Sequence, residues 1–208
     1  MAYDLEEQED LDVLKDWWKL NGTNVLLGIS VALAIFIGFR GWQYYQQRQS
    51  LEASVRYETL SQLDRSDIKN IRGISGQLME KYSGTVYAAR AALLVAKANS
   101  EANDTKSAKA QLQWAMEHTK EASIRAIAQL QLAAIQLDEK QYDMALKTLA
   151  DQHDPAFDGL IADLKGDVLV AQGKRTEARK AYKEALGKLD ETSHYRRYTE
   201  HKLEALGS

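Results

Sequence analysis

The stretch LIADLKGDVLVAQGKRTEARKAYKEALGK, Leu160 to Lys188, decides the fold. Its apolar residues return every three or four positions, the period of a helix that buries one face. A polar break around Gln172-Gly173-Lys174 interrupts the pattern, and a second helix opens on the small residue Ala178 with the bulky Tyr182 one turn later. Two antiparallel helices can cross closely only where a small side chain lets the backbones approach, and the bulky residue one turn on fills the adjoining hole.

Working outward, the same design recurs upstream in RAIAQLQLAAIQLDEKQYDMALKTLADQ, Arg125 to Gln152, and more loosely in TVYAARAALLVAKANSEANDTKSAKAQLQWAMEH, Thr85 to His118. Ala108, Ala145 and Ala178 hold the same place in the three units, 37 and 33 residues apart, and each is followed four positions later by Leu112, Leu149 or Tyr182. This is the spacing of tetratricopeptide repeats, whose template runs to about 34 residues. The third unit fits best, with Gly166, Gly173, Ala178, Tyr182 and Ala185 at the template's small and aromatic places; the first lacks the glycines. One helical hairpin cannot bury its apolar face alone, so stacked hairpins are expected, with a concave surface lined by the first helix of each pair. The candidate partner-binding residues on that surface are Arg90, Leu93 and Lys97 in the first unit, Ile127, Leu130, Ala134 and Asp138 in the second, and Asp163, Asp167 and Val170 in the third. A helix from about Ser193 to Leu206 would cap the stack.

Toward the N-terminus the character changes. Between Lys19 and Arg40 lie twenty uncharged residues, LNGTNVLLGISVALAIFIGF. At about 1.5 Å each they reach roughly 30 Å, the thickness of a hydrocarbon core. Its Val, Leu, Ile and Phe residues each favour insertion by about 0.3–0.6 kcal/mol. Trp17 and Trp18 precede the run and Trp42, Tyr44 and Tyr45 follow it, where amphipathic rings settle at the headgroups. A cleaved signal peptide would want a basic start and a small-residue cleavage site, and the run instead follows acids and ends in Arg-Gly-Trp-Gln-Tyr-Tyr, so an uncleaved anchor is the expectation. Lys15 and Lys19 before the run nearly balance Arg40, Arg48 and Arg56 after it, so charge does not orient the span. Gly28/Ala32 and Ala34/Gly38 have the small-xxx-small spacing that lets another membrane helix approach.

The chain therefore divides into an acidic arm (1–19), a transmembrane helix (20–42), juxtamembrane helices (43–83), the second of them about Ser66 to Tyr82 with Ser66 as its N-cap, and a repeat domain (84–208). The fold class is all-α: one transmembrane helix followed by a tetratricopeptide-like α-solenoid. Pro155 is the only proline and no strand is expected. The arm carries seven acids against two bases, whereas the bases and acids from Leu51 onward cancel. Nucleic acid is excluded as a partner, since it requires a clustered positive field.

No sequence motif of nucleophilic, phosphate-cradling or metalloprotease chemistry occurs, so no catalytic residue is named and no enzyme activity is expected. Cysteine is absent, and His118, His153, His194 and His201 lack the companions of a metal site, so neither metal nor cofactor is expected. Asp163 and Asp167 stand one turn apart and would present a carboxylate pair on the concave face or, more plainly, a solvated helix face. The basic run from Lys174 to Lys180 is interspersed with acids, and pairing of Lys180 with Glu184 accounts for it.

The order acidic arm, Trp17-Trp18, Asn21-Gly22, single span, Arg40-Gly41-Trp42, polar helix, repeat units resembles the YfgM family, ancillary subunits of the bacterial SecYEG translocon. LKDWWKLNG (Leu14 to Gly22), the stretch Gly38 to Tyr45, and IADLKGDVLVAQGKRTEARKAY (Ile161 to Tyr182) carry the likeness, which covers nearly the whole chain. The resemblance implies a bacterial inner-membrane protein with a cytoplasmic N-terminus and a periplasmic repeat domain. It implies as partners the SecYEG translocon, a membrane-anchored periplasmic chaperone of the PpiD type, client polypeptides and the lipid bilayer. The family carries no catalytic residues to transfer. The residues alone leave a second reading open, a structural tether or assembly factor in cell-envelope or division machinery.

Overall fold

The computed structural model describes residues 2–207, with the side chains of 2–14 and Asp16 not among those described. The acids proposed for the N-terminal arm, Asp4 to Asp16, therefore lie outside the described side chains. Among the described residues there are helices and no strands, and the chain separates into two compact units, 1–48 and 49–208. The boundary falls within α1 (Ala2–Ser61).

Within the first unit, residues 25–39 of the helix are apolar on nearly all sides, as a lipid-facing segment must be. An 18-residue window reaches mean hydropathy 2.0 with 6% of it buried by the chain itself. Leu26, Leu27, Ile29, Leu33, Ile35, Phe36, Ile37 and Phe39 are each half or more exposed. No core claims these side chains, which separates this helix from the buried helix of a soluble domain. Paired aromatics mark its flanks: Trp17 with Trp18 (ring centroids 6.4 Å apart) and Phe39 with Trp42 (6.2 Å), while the Arg48 guanidinium sits 5.0 Å over the Tyr44 ring.

The second unit is a stack of helical pairs. The last turns of α1, from Gln49, pack with α2 (Ile68–Lys81). Then come α3 (Val86–Glu101) with α4 (Thr105–His118), α5 (Ala122–Asp138) with α6 (Tyr142–Ala150), α7 (Asp158–Ala171) with α8 (Arg175–Lys188), and α9 (His194–Ala205) at the end. Residues 49–83 thus belong to the same compact unit as the repeats. Ala53, Leu60, Ile71, Leu78 and Val95 share one core cluster. Arg56 reinforces the first pair by donating to the Tyr82 hydroxyl (3.3 Å) and Gln77 Oε1 (3.0 Å), and Tyr82 donates onward to Glu52 (2.9 Å).

The N-cap of α2 is Asp67, not Ser66. Asp64 accepts hydrogen bonds from both the backbone N–H and the hydroxyl of Ser66, leaving Asp67 to accept from Asn70 N–H at 3.3 Å. Two adjacent residues of capping type compete here, and the one whose side chain is already engaged loses.

The alanine and bulky positions singled out in the sequence form the seams of the three later hairpins. Ala108, Ala145 and Ala178 are fully buried, and so, to within a few per cent, are Leu112, Leu149 and Tyr182. The turns between paired helices also share a geometry: Asn103, Lys140 and Gly173 each take positive φ (61°, 61° and 77°). The next residue in each turn, Asp104, Gln141 or Lys174, donates its N–H back to Asn99, Gln136 or Leu169. This is the left-handed closure that satisfies the last carbonyls of a helix. The uneven spacing of the alanines comes from element length. α6 stops at Ala150 ahead of Pro155, which starts a 3₁₀ turn (Pro155–Phe157), and α7 is three residues shorter than α5.

α9 closes the stack with Ser193 as its N-cap. Arg196 donates to the Leu186 carbonyl at 2.6 Å, so the open C-terminal end of α8 is met by a cation. Glu184 pairs with Lys188 at 3.4 Å rather than with Lys180, and Lys188 also reaches Asp158 at 2.9 Å. That second bond bridges α8 to the start of α7 and favours the Lys188 partnership.

Candidate functional site

The first helix of each pair, the end of α1 followed by α3, α5 and α7, lines one side of the stack. Two hollows open there, both edged by Lys97. The larger, about 340 Å³, lies between α3 and α5, with Lys97 and Ser100 on one wall, Gln131, Ala134 and Asp138 on the other, and Leu112 of α4 beneath. The smaller, about 190 Å³, lies between the end of α1 and α3, where Leu60, Ile71 and Leu94 give it an apolar floor.

The two sides meet because each first helix presents one residue per turn to the groove. Ile127, Gln131, Ala134 and Asp138 follow the i, i+4, i+7, i+11 steps of a single face. Lys97 and Asp138 are exposed and form no ion pair with other described residues, so opposite charges stand ready at either side of an uncharged trough. A groove with an apolar floor and charged lips suits an extended or helical segment of another polypeptide.

Of the candidate residues, the structure brings Lys97, Ala134 and Asp138 together around the larger hollow. Arg90 pairs with Glu121 at 3.2 Å, tying α3 to the turn before α5. Leu93 and Leu130 are partly buried and pack on the core clusters, where they hold helices together. Ile127 is partly exposed, and Val170 is 39% exposed near the end of α7.

Asp163 and Asp167 are neither a free carboxylate pair nor a solvated face. Lys202 of α9 reaches both, at 2.7 and 2.8 Å, Thr199 donates to Asp163 at 2.8 Å, and the Tyr182 hydroxyl donates to Asp167 at 2.8 Å. Burial works to lower the Lys202 pKa, but the hydrogen bonds and charges of the two carboxylates outweigh it and hold the ammonium above its ordinary value. Burial, followed by the Asp167 bond, pushes the Tyr182 phenol up as well. The capping helix has taken this part of the first-helix face.

Sequence reading missed Ser100 and Gln131, although the helical period from Lys97 and Ala134 leads to both. It also missed the smaller hollow, whose wall comes from the last turns of α1. One histidine pairing passed over in the sequence is His201 with Glu204, one turn on, at 3.6 Å on an exposed helix face. Among the described residues no group of three or more His, Asp or Glu is placed to hold a metal ion. The other close histidine contacts are structural: His153 bridges the Asp151 carbonyl (2.9 Å) and the Asp158 carboxylate (3.0 Å), His118 stacks on Trp114 with centroids 4.2 Å apart, and the His194 ring meets the Arg197 guanidinium one turn on.

Along most of its length the chain is similar to known proteins. The profile of the tetratricopeptide repeat-like domain matches residues 15–208. A protein of Haemophilus influenzae named ancillary SecYEG translocon subunit is 33% identical over 185 residues, covering 89% of this chain and 91% of that one. Proteins of the same name are 30% identical in Neisseria gonorrhoeae, over 99% of this chain and 100% of the relative, and 28% identical in Escherichia coli, over 85% of each.

Proposed function

Because the chain belongs to the family of ancillary SecYEG translocon subunits, we propose that it is a membrane-anchored, non-catalytic adaptor working beside the protein-export channel. α1 anchors it in the bacterial inner membrane as a single span, with the N-terminal arm in the cytoplasm and the repeat domain in the periplasm. The groove edged by Lys97 and Asp138 receives a segment of a partner, either an emerging client polypeptide or a membrane-anchored periplasmic chaperone of the PpiD type. Its work is to hold the two near each other at the channel exit.

The observation that carries this reading is the apolar helix that the chain leaves uncovered. A solenoid of this size needs no such helix for its own stability, and a tether confines its groove to the membrane surface, where clients emerge at high effective concentration. The relatives' shared name supports the choice of the export channel over other membrane machinery.

The test is photocrosslinking in intact inner membranes, with the reactive group at Lys97, Ala134 or Asp138 of the full chain. Adducts with translocon subunits, secreted chains or a periplasmic chaperone are expected, and deletion of residues 84–208 should remove the chaperone adduct. Release of the full chain by carbonate wash, or adducts confined to envelope-building enzymes, would overturn the reading.

A further inference from the structure

The part of α1 that follows the apolar run carries two cations without a counterion. Arg40 stands at the end of the run and Arg48 two turns further on, and no acid occurs anywhere between residues 17 and 51. Both arginines are exposed, and neither forms an ion pair with another described residue. Glu52, the next acid along the chain, accepts instead from the Tyr82 hydroxyl at 2.9 Å. A guanidinium in open water needs no partner, but Arg40 stands at the hydrocarbon edge, where an unneutralised cation is costly.

Helix geometry puts the two on one face. Each step of four residues turns the helix by about 40°, so Arg40, Tyr44 and Arg48 lie within about 80° of one another, over about 12 Å of axis. Side chains on a helix lean toward its N-terminus, which here is back toward the bilayer. Arg48 does so, its guanidinium 5.0 Å over the Tyr44 ring. In a bilayer Arg40 snorkels the other way, with its stem in the hydrocarbon and its head in the interface. The two cations thus approach one layer, which extends about 5–7 Å beyond the hydrocarbon core, from either side. Tyr44, 58% exposed, stands between them.

The chemistry that answers two guanidinium groups and a phenol at headgroup depth is a phosphodiester. Arginine binds phosphate through paired N–H donors, and a tyrosine hydroxyl supplies one more. A zwitterionic headgroup brings its own cation, so two uncompensated arginines favour a lipid of net negative charge. The proposed orientation sharpens the point, since it puts both on the translocated side of the span, where lysine and arginine are ordinarily sparse. We propose that Arg40, Tyr44 and Arg48 form a binding face for the phosphate of an anionic glycerophospholipid of the phosphatidylglycerol type. The bound headgroup fixes the depth at which the helix leaves the bilayer. This inference rests on α1 being a membrane span, and not on which membrane machinery the protein serves.

The test reconstitutes the full chain in phosphatidylcholine vesicles holding a trace of spin-labelled phosphatidylglycerol or spin-labelled phosphatidylcholine. The motionally restricted fraction of each is read by electron paramagnetic resonance. Phosphatidylglycerol should associate at least about threefold more strongly. Arg40→Gln with Arg48→Gln should remove most of that preference, and Tyr44→Ala, which removes no charge, should lower it about twofold. Lys15→Gln with Lys19→Gln, on the other flank, should leave most of it. Gln46→Arg added to Arg48→Gln returns the charge to the opposite face of the helix, two residues back, and should not restore the preference. No preference for phosphatidylglycerol, a preference untouched by Tyr44→Ala, recovery with Gln46→Arg, or displacement of the labelled lipid by inorganic phosphate would each overturn the site. Carbonate extraction of the same vesicles separates this from the anchor itself. A parent chain that stays in the pellet without lipid preference counts against the headgroup site alone, whereas its release counts against the membrane reading.

Discussion

Gly166 and Tyr182 are matched in size: the Tyr182 ring occupies the space where a Cβ on residue 166 would stand, overlapping several of its carbons. The two earlier hairpins solve the same crossing differently, with Ala96 and Ala133 at the corresponding places facing the buried Leu112 and Leu149. A larger residue on the second helix thus goes with a smaller one on the first. Gly166→Ala should cost about 1–3 kcal/mol through overpacking, measured by urea denaturation. Adding Tyr182→Leu should recover part of that loss, because it recreates the Ala/Leu pairing of the other hairpins. Strict additivity of the two substitutions in a double-mutant cycle would show that the ring contact is not what excludes alanine.

Lys202 secures the capping helix by answering two carboxylates at once. Lys202→Met should leave Asp163 and Asp167 facing each other, partly buried and unneutralised, with a loss on the order of 2 kcal/mol once the partial exposure of all three groups is discounted. Limited proteolysis in the turn at 190–193 should accelerate as α9 loosens. Asp163→Asn with Asp167→Asn in the Lys202→Met background should restore much of the stability, since the neutral amides remove the repulsion. No gain from the amides would mean that Lys202 acts mainly through the packing of its stem against Tyr182, whose ring centroid lies 5.8 Å from the ammonium.

The contrast between these two clusters explains what the sequence could reveal. Ala108, Ala145 and Ala178 with their bulky followers were legible because a close helix crossing demands small and large residues at fixed offsets within one helix. The span was legible for a similar reason, since bilayer thickness sets the length of the apolar run. Lys97, Ala134 and Asp138 followed from helical period. Asp163 and Asp167 were misread because their partner, Lys202, lies 39 and 35 positions away on a helix whose docking no local pattern encodes. Ser66 was mistaken for the cap because Asp64 claims it through a turn that propensity does not resolve.

Asp104 links stability to pH. It caps α4, and the hydrogen bonds from the Ser107 backbone and hydroxyl, with a smaller contribution from Arg72, hold its carboxyl below the ordinary 3.8. A carboxylate depressed in the folded state stabilises above its unfolded pKa, and that contribution is lost as pH falls through the folded value. The melting temperature should therefore begin to drop as pH passes below about 4, with Asp104 contributing alongside Glu139 and Asp158, whose carboxyls are lowered first by hydrogen bonds from Lys109 and Lys188. Asp104→Asn should be less stable than the parent at pH 7, and the gap should narrow as pH falls below 4. A gap of constant width from pH 7 to pH 2.5 would remove Asp104 from the acid transition.

Lys140 stands in the left-handed conformation where the next hairpin has Gly173. For an L-residue with a Cβ this costs about 1–2 kcal/mol, a cost that asparagine at 103 reduces and glycine avoids. Replacing lysine by glycine also frees the unfolded chain, which offsets part of the gain. Lys140→Gly should therefore raise stability by about 0.5–1 kcal/mol, and Gly173→Lys should lower it by a similar amount, both read by urea denaturation. Lys140 is exposed, so little packing is lost with its side chain, and its N–H bond to the Leu137 carbonyl (2.9 Å) survives the change. The two substitutions exchange the same two residues between equivalent turns, so a rise with Lys140→Gly together with a fall with Gly173→Lys identifies backbone conformation as the cause. The reverse, a fall with Lys140→Gly and a rise with Gly173→Lys, would instead point to the charge removed or added beside the helix end.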